Sequence, residues 1–164
     1  EHAMEARFDL FASETAAKFA KRVYAAGSVL EASSLPKSVR ELVMLRVSQI
    51  NGCAMCIDMH TKEAAAAGEE AVRLHLVAAW REATVFSEAE RAALALAEEG
   101  TRLADAGGGV SDETWARVRE HFDDDQTGTL IALVAMMNAA NRMNVIVRTP
   151  AGSYTPGMFA NTLD

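Results

Sequence analysis

This 164-residue chain has no lysine or arginine run and no cysteine framework. Its formal net charge is −7, and its 16 basic residues are scattered. Nucleic acid and anionic membrane surfaces both reward clustered positive charge, so neither is expected as a partner. No apolar stretch reads as long enough to span a bilayer, and no segment pairs a basic start with an apolar middle as a secretion signal does. Two thiols without a disulfide framework fit a reducing cytoplasm. No segment alternates with period two for long, so no sheet is expected. Repeats and low-complexity linkers are also missing, which leaves one domain large enough for a real core. Glu1-His2-Ala3 ahead of Met4 reads as an expression-tag remnant. Residues 4–150 then form a single helical domain, and residues 151–164 an irregular tail.

Half the residues are hydrophobic and only 6% are aromatic. Alanine, leucine, glutamate and arginine dominate, a composition that favours an all-α fold of about seven helices. The first is expected over Ala6 to Ala26, ending at Gly27, with Phe8, Phe11, Ala12, Phe19 and Val23 as its apolar stripe. Pro36 opens a second that stops at Asn51-Gly52. The third runs from Cys53 to Ala67, with Gly68 beyond its end, and the fourth from Glu70 to Glu82. Ser87-Glu88-Ala89-Glu90 is a capping box for the fifth, which fades at Gly107-Gly108-Gly109. Ser111 starts the sixth, which ends near His121. Asp123-Asp124-Asp125, a solvated helix start, introduces the last from Gln126 to Arg148, where Thr149-Pro150 halts it. Met158 and Phe159 in the tail are apolar enough to dock, on this subunit or on a neighbour.

The two cysteines lie three apart and a histidine follows: Cys53-Ala54-Met55-Cys56-Ile57-Asp58-Met59-His60. A disulfide stabilises by closing a long loop in the unfolded chain, and this pair closes almost none, so chemistry suits it better than bracing. On a helix starting near Cys53, Cys56 and His60 share a face, and Cys53 sits at the end whose dipole and unpaired amides favour a thiolate. Glu41 is the one carboxylate on the largely apolar second helix. Helix rise puts it about 15 Å before the Asn51-Gly52 turn, and the same distance into the third helix lands beside His60 and Glu63. Glu41 can therefore fix the tautomer of His60 while His60 faces Cys56. The residues read as a redox-active dithiol in which His60 deprotonates Cys56. The thiolate attacks a peroxide O–O bond, and Cys53 condenses with the resulting sulfenic acid.

Glu41, Cys53, Cys56 and His60 spell E-x11-C-x2-C-x3-H. That pattern resembles the alkyl hydroperoxidase D-like branch of the carboxymuconolactone decarboxylase superfamily. Leu35-Pro36, Trp80-Arg81-Glu82-Ala83 with Phe86-Ser87, and Asn138-Ala139-Ala140-Asn141-Arg142-Met143-Asn144-Val145 resemble the same family's landmarks. The resemblance implies a helical homo-oligomer, usually a trimer or hexamer, and a peroxidase without a metal or organic cofactor. It further implies that Cys56 becomes the sulfenic acid, that Cys53 is the resolving thiol, and that Glu41 and His60 form the proton relay. An external dithiol, in the best-known members a lipoylated adaptor protein, reduces the pair again. Those best-known members carry a second histidine directly before the latter cysteine, where this chain has Met55.

Other readings stand beside these. Cys53 and Cys56 can be two small buried hydrophobes, and Glu41 can pair with Lys37 one turn earlier. Two cysteines, His60 and Glu41 can also hold zinc, although structural zinc sites usually draw on two separated clusters. A lactone decarboxylase, a disulfide reductase for a partner protein, and a non-catalytic redox sensor remain on the same scaffold. His75 and His121 read as surface residues, and Trp80 as a packing anchor. Met136, Met137 and Met143 suit core or subunit packing, and Asn138 and Asn141 satisfy each other or nearby backbone.

Overall fold

Ser13, and not the segment around Ala6, starts the first long helix. Its hydroxyl accepts the Ala16 amide at 3.2 Å and caps α1, Glu14–Glu31, behind a short 3-10 turn at Leu10–Ala12. The computed structural model describes residues 4–160, so the tag reading of residues 1–3 and the last four tail residues lie outside it. Among the described residues there are eight α-helices and no strand. The others are α2 Lys37–Asn51, α3 Ala54–Ala66, α4 Ala71–Leu76, α5 Glu88–Thr101, α6 Leu103–Ala106, α7 Asp112–His121 and α8 Asp124–Val147.

Three expectations about α1 are corrected. The helix starts later, passes through Gly27 and buries a different face. Gly27 has no αL role there; a Cβ on it would sit 3.9 Å from Met136 Sδ, so the position lies against α8. Ala20 and Leu30 are buried, and Val23 and Tyr24 pack on the core at the same helical spacing. Phe8, Phe11 and Phe19 instead remain more than half exposed.

The expected fourth helix is split. α4 gives way to a 3-10 segment, Val77–Glu82, with Ala79 at φ −118°, ψ 29°. Arg91 of α5 takes the carbonyls of Trp80 and Ala83 at 2.9 and 3.1 Å, which replaces the bonds a continuing helix would make. Trp80 is the expected anchor: it is buried, its indole N–H donates to Glu98 at 3.0 Å, and Arg81 lies over its ring.

α5 has its capping box, with Ser87 and Glu90 bonding reciprocally, and is followed by α6 before the glycine run. α8 begins two residues earlier than expected because Asp123 caps it, accepting the Gln126 amide at 2.8 Å. Arg148 ends it in the αL conformation, and Thr149 donates to the Asn144 carbonyl at 3.0 Å.

The core sits around α2, which packs against α3, α5 and α8. One cluster joins Val39, Val43 and Val47 to both cysteines, Leu96, Leu130, Leu133 and Met137. A second joins Leu42, Leu45, Ala64, Val77, Trp80 and Leu94. α8 also corrects the expectation that no apolar stretch reaches membrane-spanning length. It has 24 residues, with a window of mean hydropathy 1.5. It is nonetheless a bundle helix, because α1, α2 and α5 pack along it and it carries Asn138, Asn141 and Asn144.

Candidate active site

The α2–α3 turn is built by one glycine and two backbone bonds, the first from Gly52 N–H to Gln49 O at 3.3 Å. Gly52 adopts φ 68°, ψ 30°, which L side chains rarely do, and Cys53 N–H donates to Ser48 O at 3.0 Å. This closes α2 and delivers Cys53 as the N-cap of α3. The Cys53 sulfur accepts the Cys56 amide at 3.3 Å, so it occupies the electropositive end of the helix. The two sulfurs are bonded to each other, with the Cα atoms 5.3 Å apart, and each cysteine is only 1% exposed.

His60 lies one turn beyond Cys56 on α3 and is also buried. Its Nδ1 is 3.1 Å from Glu41 Oε2. A carboxylate can only accept, so Nδ1 carries the proton in the neutral ring and Nε2 keeps its lone pair. Nε2 is buried without a hydrogen-bond partner. Leaving an acceptor buried and unpaired costs free energy, and such an acceptor is a base waiting for a proton. The antiparallel α2–α3 hairpin thus brings Glu41 to His60 as helix rise anticipated, and the Glu41 carboxylate turns to the imidazole. A zinc centre needs three donors converging on one point. Among the described residues no three His, Cys, Asp or Glu side chains do so.

Residues outside the motif hold this hairpin. Asn51, read from the sequence only as a turn residue, donates through Nδ2 to Asn138 Oδ1 and Asn141 Oδ1, both at 3.0 Å. Asn141 is fully buried and donates to Ser48 Oγ at 3.1 Å, and Ser48 in turn donates to Met44 O at 2.7 Å. Asn138 and Asn141 therefore do not satisfy each other, although Asn138 does donate to nearby backbone, Val134 O, at 2.9 Å as expected; Asn51 bridges the two and ties the cysteine turn to α8. Met55 is partly buried, and His75 and His121 are exposed as expected.

The tail is the larger omission. It docks on the outer side of α3: Asp58 accepts the Gly152 and Tyr154 amides at 2.7 and 3.2 Å, and Lys62 donates to Tyr154 O at 2.9 Å. Tyr154 is buried and its hydroxyl donates to Glu63 Oε1 at 2.5 Å, with the Gly157 amide on the same oxygen at 2.8 Å. Phe159 packs at 5.6 Å from the Tyr154 ring, so part of the apolar tail docks on its own subunit. The signal for this was the pair Gly152 and Gly157, both at positive φ, bracketing one aromatic residue.

Burial works against the charged form of Glu63. The Tyr154 and Gly157 bonds, with the charge of Lys37, outweigh it and hold the carboxyl below its ordinary range. Burial, followed by the bond to Glu63, raises Tyr154 well above an ordinary phenol.

Comparison with known proteins gives the chain its relatives. The chain is 41% identical over 121 residues to the uncharacterized protein YdfG of Bacillus subtilis (strain 168), covering 74% of this chain and 81% of that one. It is 33% identical over 119 residues to the uncharacterized protein YnjA of Escherichia coli (strain K12), spanning 73% of this chain and 64% of that protein. A crystal structure from Agrobacterium tumefaciens, of a protein described as a candidate antioxidant defence protein AhpD, superposes with a TM-score of 0.82. It is 32% identical and the match covers 92% of this chain and all of that one. The pattern that defines the carboxymuconolactone decarboxylase family matches residues 16–99, from α1 through the cysteine hairpin to α5. On that match and the shared helical fold, the chain belongs to the carboxymuconolactone decarboxylase family.

Proposed function

We propose that this protein is a thiol peroxidase that reduces hydroperoxides through a Cys53–Cys56 dithiol/disulfide cycle. The observation that carries the reading is the unpartnered Nε2 of His60, buried on α3 one turn from a bonded cysteine pair and held in its basic tautomer by Glu41.

In the reduced protein, Nε2 takes the Cys56 proton and the thiolate attacks the terminal peroxide oxygen. The O–O bond breaks, the alkoxide leaves with the proton from His60 as an alcohol, and Cys56 becomes a sulfenic acid. Cys53 then attacks Cys56, water departs and the disulfide forms. Met55 stands where the best-known alkyl hydroperoxidase D-like members have a second histidine. The Cys56 amide, already bonded to the Cys53 sulfur, lowers the need for that base by stabilising a Cys53 thiolate directly. An external dithiol restores the pair by exchange, and a lipoyl group on a slender arm suits sulfurs this deeply buried. The same burial disfavours a bulky protein disulfide as substrate.

A cytoplasmic location and a homotrimer or homohexamer complete the reading. Assembly is supported by apolar side chains left in water: Phe11 beside α1, Phe19 on α1, and Ile131 and Ile146 on α8 are each at least half exposed. Sedimentation equilibrium of the chain measures the assembly.

Peroxide consumption tests the function. Reduced protein mixed with cumene hydroperoxide loses both thiols together, and a dithiol donor restores turnover. Cys56→Ser abolishes consumption, and Cys53→Ser leaves a sulfenic acid that dimedone captures. Unchanged turnover in both variants overturns the reading. Oxidation once, without cycling on any dithiol, favours a sensor instead.

A further inference from the structure

The tail's one buried aromatic residue has a partner inside the redox centre. Glu63 and His60 are three apart on α3, close enough for their side chains to meet. Glu63 does not meet the imidazole. Its Oε1 is held by Tyr154 Oη at 2.5 Å and by Gly157 N at 2.8 Å. The segment carrying those donors is itself pinned by Asp58, which accepts the Gly152 and Tyr154 amides, and by Lys62, which donates to Gly152 O and Tyr154 O. His60 Nε2, meanwhile, is buried and unpaired.

We propose that Tyr154 is a positioning residue of the redox centre: its hydroxyl, with the Gly157 amide, holds Glu63 away from His60 so that Nε2 stays open to the thiol of Cys56. The inference gives the dithiol-peroxidase reading one more residue and depends on that reading for its meaning.

The physical reason is charge. His60 already has one carboxylate, Glu41, on Nδ1. A second carboxylate on Nε2 would draw a proton onto that nitrogen and occupy the base. Two carboxylates around one imidazolium also leave a net negative charge beside Cys56, which opposes its ionisation. The other charged groups around this cluster are Lys37 on α2 and Asp58 and Lys62 on α3. Asp58 and Lys62 pair with each other at 2.6 Å, and Lys37 acts on Glu63 as a charge. None of them replaces the tail's hydroxyl and amide as hydrogen-bond donors to Glu63 Oε1. That hydroxyl is ordinary phenol chemistry put to structural use: burial and the neighbouring carboxylate keep it protonated, so it donates throughout the range in which the thiols titrate.

The test uses the full chain and needs no peroxide. Iodoacetamide alkylation of the reduced protein is followed across pH for the parent, Tyr154→Phe, Glu63→Ala and the double variant. Titration of the His60 imidazole by NMR in the oxidised protein is the second readout. Phenylalanine keeps the ring and its packing on Phe159 and removes only the donor. Tyr154→Phe is expected to move the alkylation midpoint up by roughly 0.7 unit, about fivefold slower at pH 7, and to move the His60 midpoint up in parallel. Glu63→Ala in the Tyr154→Phe background is expected to return both midpoints to those of Glu63→Ala alone, because the released carboxylate is gone.

A merely structural tyrosine gives a different result. Tyr154→Phe then lowers the melting temperature, leaves both midpoints unmoved, and the inference is overturned. It is equally overturned if the double variant keeps the full Tyr154→Phe shift. Failure of the peroxidase reading shows separately, as a parent protein that consumes no hydroperoxide although its His60 midpoint still responds to the Tyr154–Glu63 cycle.

Discussion

Glu41 and His60 meet across the α2–α3 hairpin, Oε2 to Nδ1 at 3.1 Å, with both side chains almost out of water. The contact orients the imidazole and selects its tautomer, which is what a thiol needs from a base. Glu41→Gln keeps an oxygen for Nδ1–H and removes the charge that supports the imidazolium formed when Cys56 is deprotonated. Thiol oxidation at pH 7 is expected to slow by roughly 10- to 100-fold, less than the roughly 100- to 10,000-fold that general-base catalysis supplies, because His60 itself is kept. Stopped-flow loss of thiols under excess hydroperoxide measures it. A change below about twofold at that pH counts against the relay.

Asn51 is the donor that links the cysteine turn to α8. Asn51→Ala leaves the fully buried Asn141 Oδ1 without that donor, a cost of about 1–3 kcal/mol in urea unfolding. Asn51→Asp is expected to be worse at pH 7, because a carboxylate would face two carbonyl oxygens that can only accept. Equal stabilities for the two variants would show that the amide bridge does not matter.

Two glycines with room for a methyl group should respond in opposite directions. Nothing lies within 4 Å of a Cβ on Gly52 or on Gly128. Gly52 is at φ 68°, so Gly52→Ala loses about 1–2 kcal/mol to backbone strain alone. Gly128 is an exposed residue within α8, so Gly128→Ala gains about 0.5–1 kcal/mol in helix propensity. Thermal unfolding of both variants reads the contrast directly, and two shifts of the same sign would refute the argument.

Glu98 ties α5 to α2 and to the Trp80 segment. Arg46 Nε is 2.9 Å from Oε1, the Trp80 indole 3.0 Å from the same oxygen and Arg81 2.8 Å from Oε2. Burial alone would raise the Glu98 carboxyl, but the Trp80 and Arg46 bonds prevail and hold it below the ordinary 4.5. A carboxyl with a lowered folded pKa contributes stability that is complete above its unfolded pKa and lost as pH falls through the folded one. Glu98→Gln is therefore expected to destabilise at pH 7, with the difference shrinking only below about pH 4.5. Urea unfolding at pH 7 and pH 3 measures it, and a difference that does not shrink on acidification rules out the carboxylate as its source.

Helix count and order were largely legible because their signals are local. Pro36 before α2, the Ser87–Glu90 box before α5 and Asp123 before α8 act within one turn of where they stand. The errors arose where distant partners overrode a local preference. Gly27 reads as a stop but is carried through α1 by packing on α8. Phe8 and Phe11 precede the Ser13 cap and so never join the helical stripe, and Phe19 stays exposed because α1 buries Ala20 and packs Val23 and Tyr24 on the core instead. Trp80 breaks a helix that propensity would have continued, since Arg91 claims its carbonyl from another element.

The same division runs through the site. The motif spacing by itself determined that Cys53 and Cys56 share a helix start with His60 one turn on, and that a short turn folds Glu41 back toward them. These are consequences of 1.5 Å rise and 3.6 residues per turn. Only the tertiary structure decided that Nε2 of His60 is left unpaired, that Asn51 anchors the turn to α8, and that Tyr154 returns from nearly a hundred residues away to hold Glu63. Helical periodicity specifies which residues share a face. It carries no information about which distant side chain will arrive there, because that depends on how the finished bundle closes.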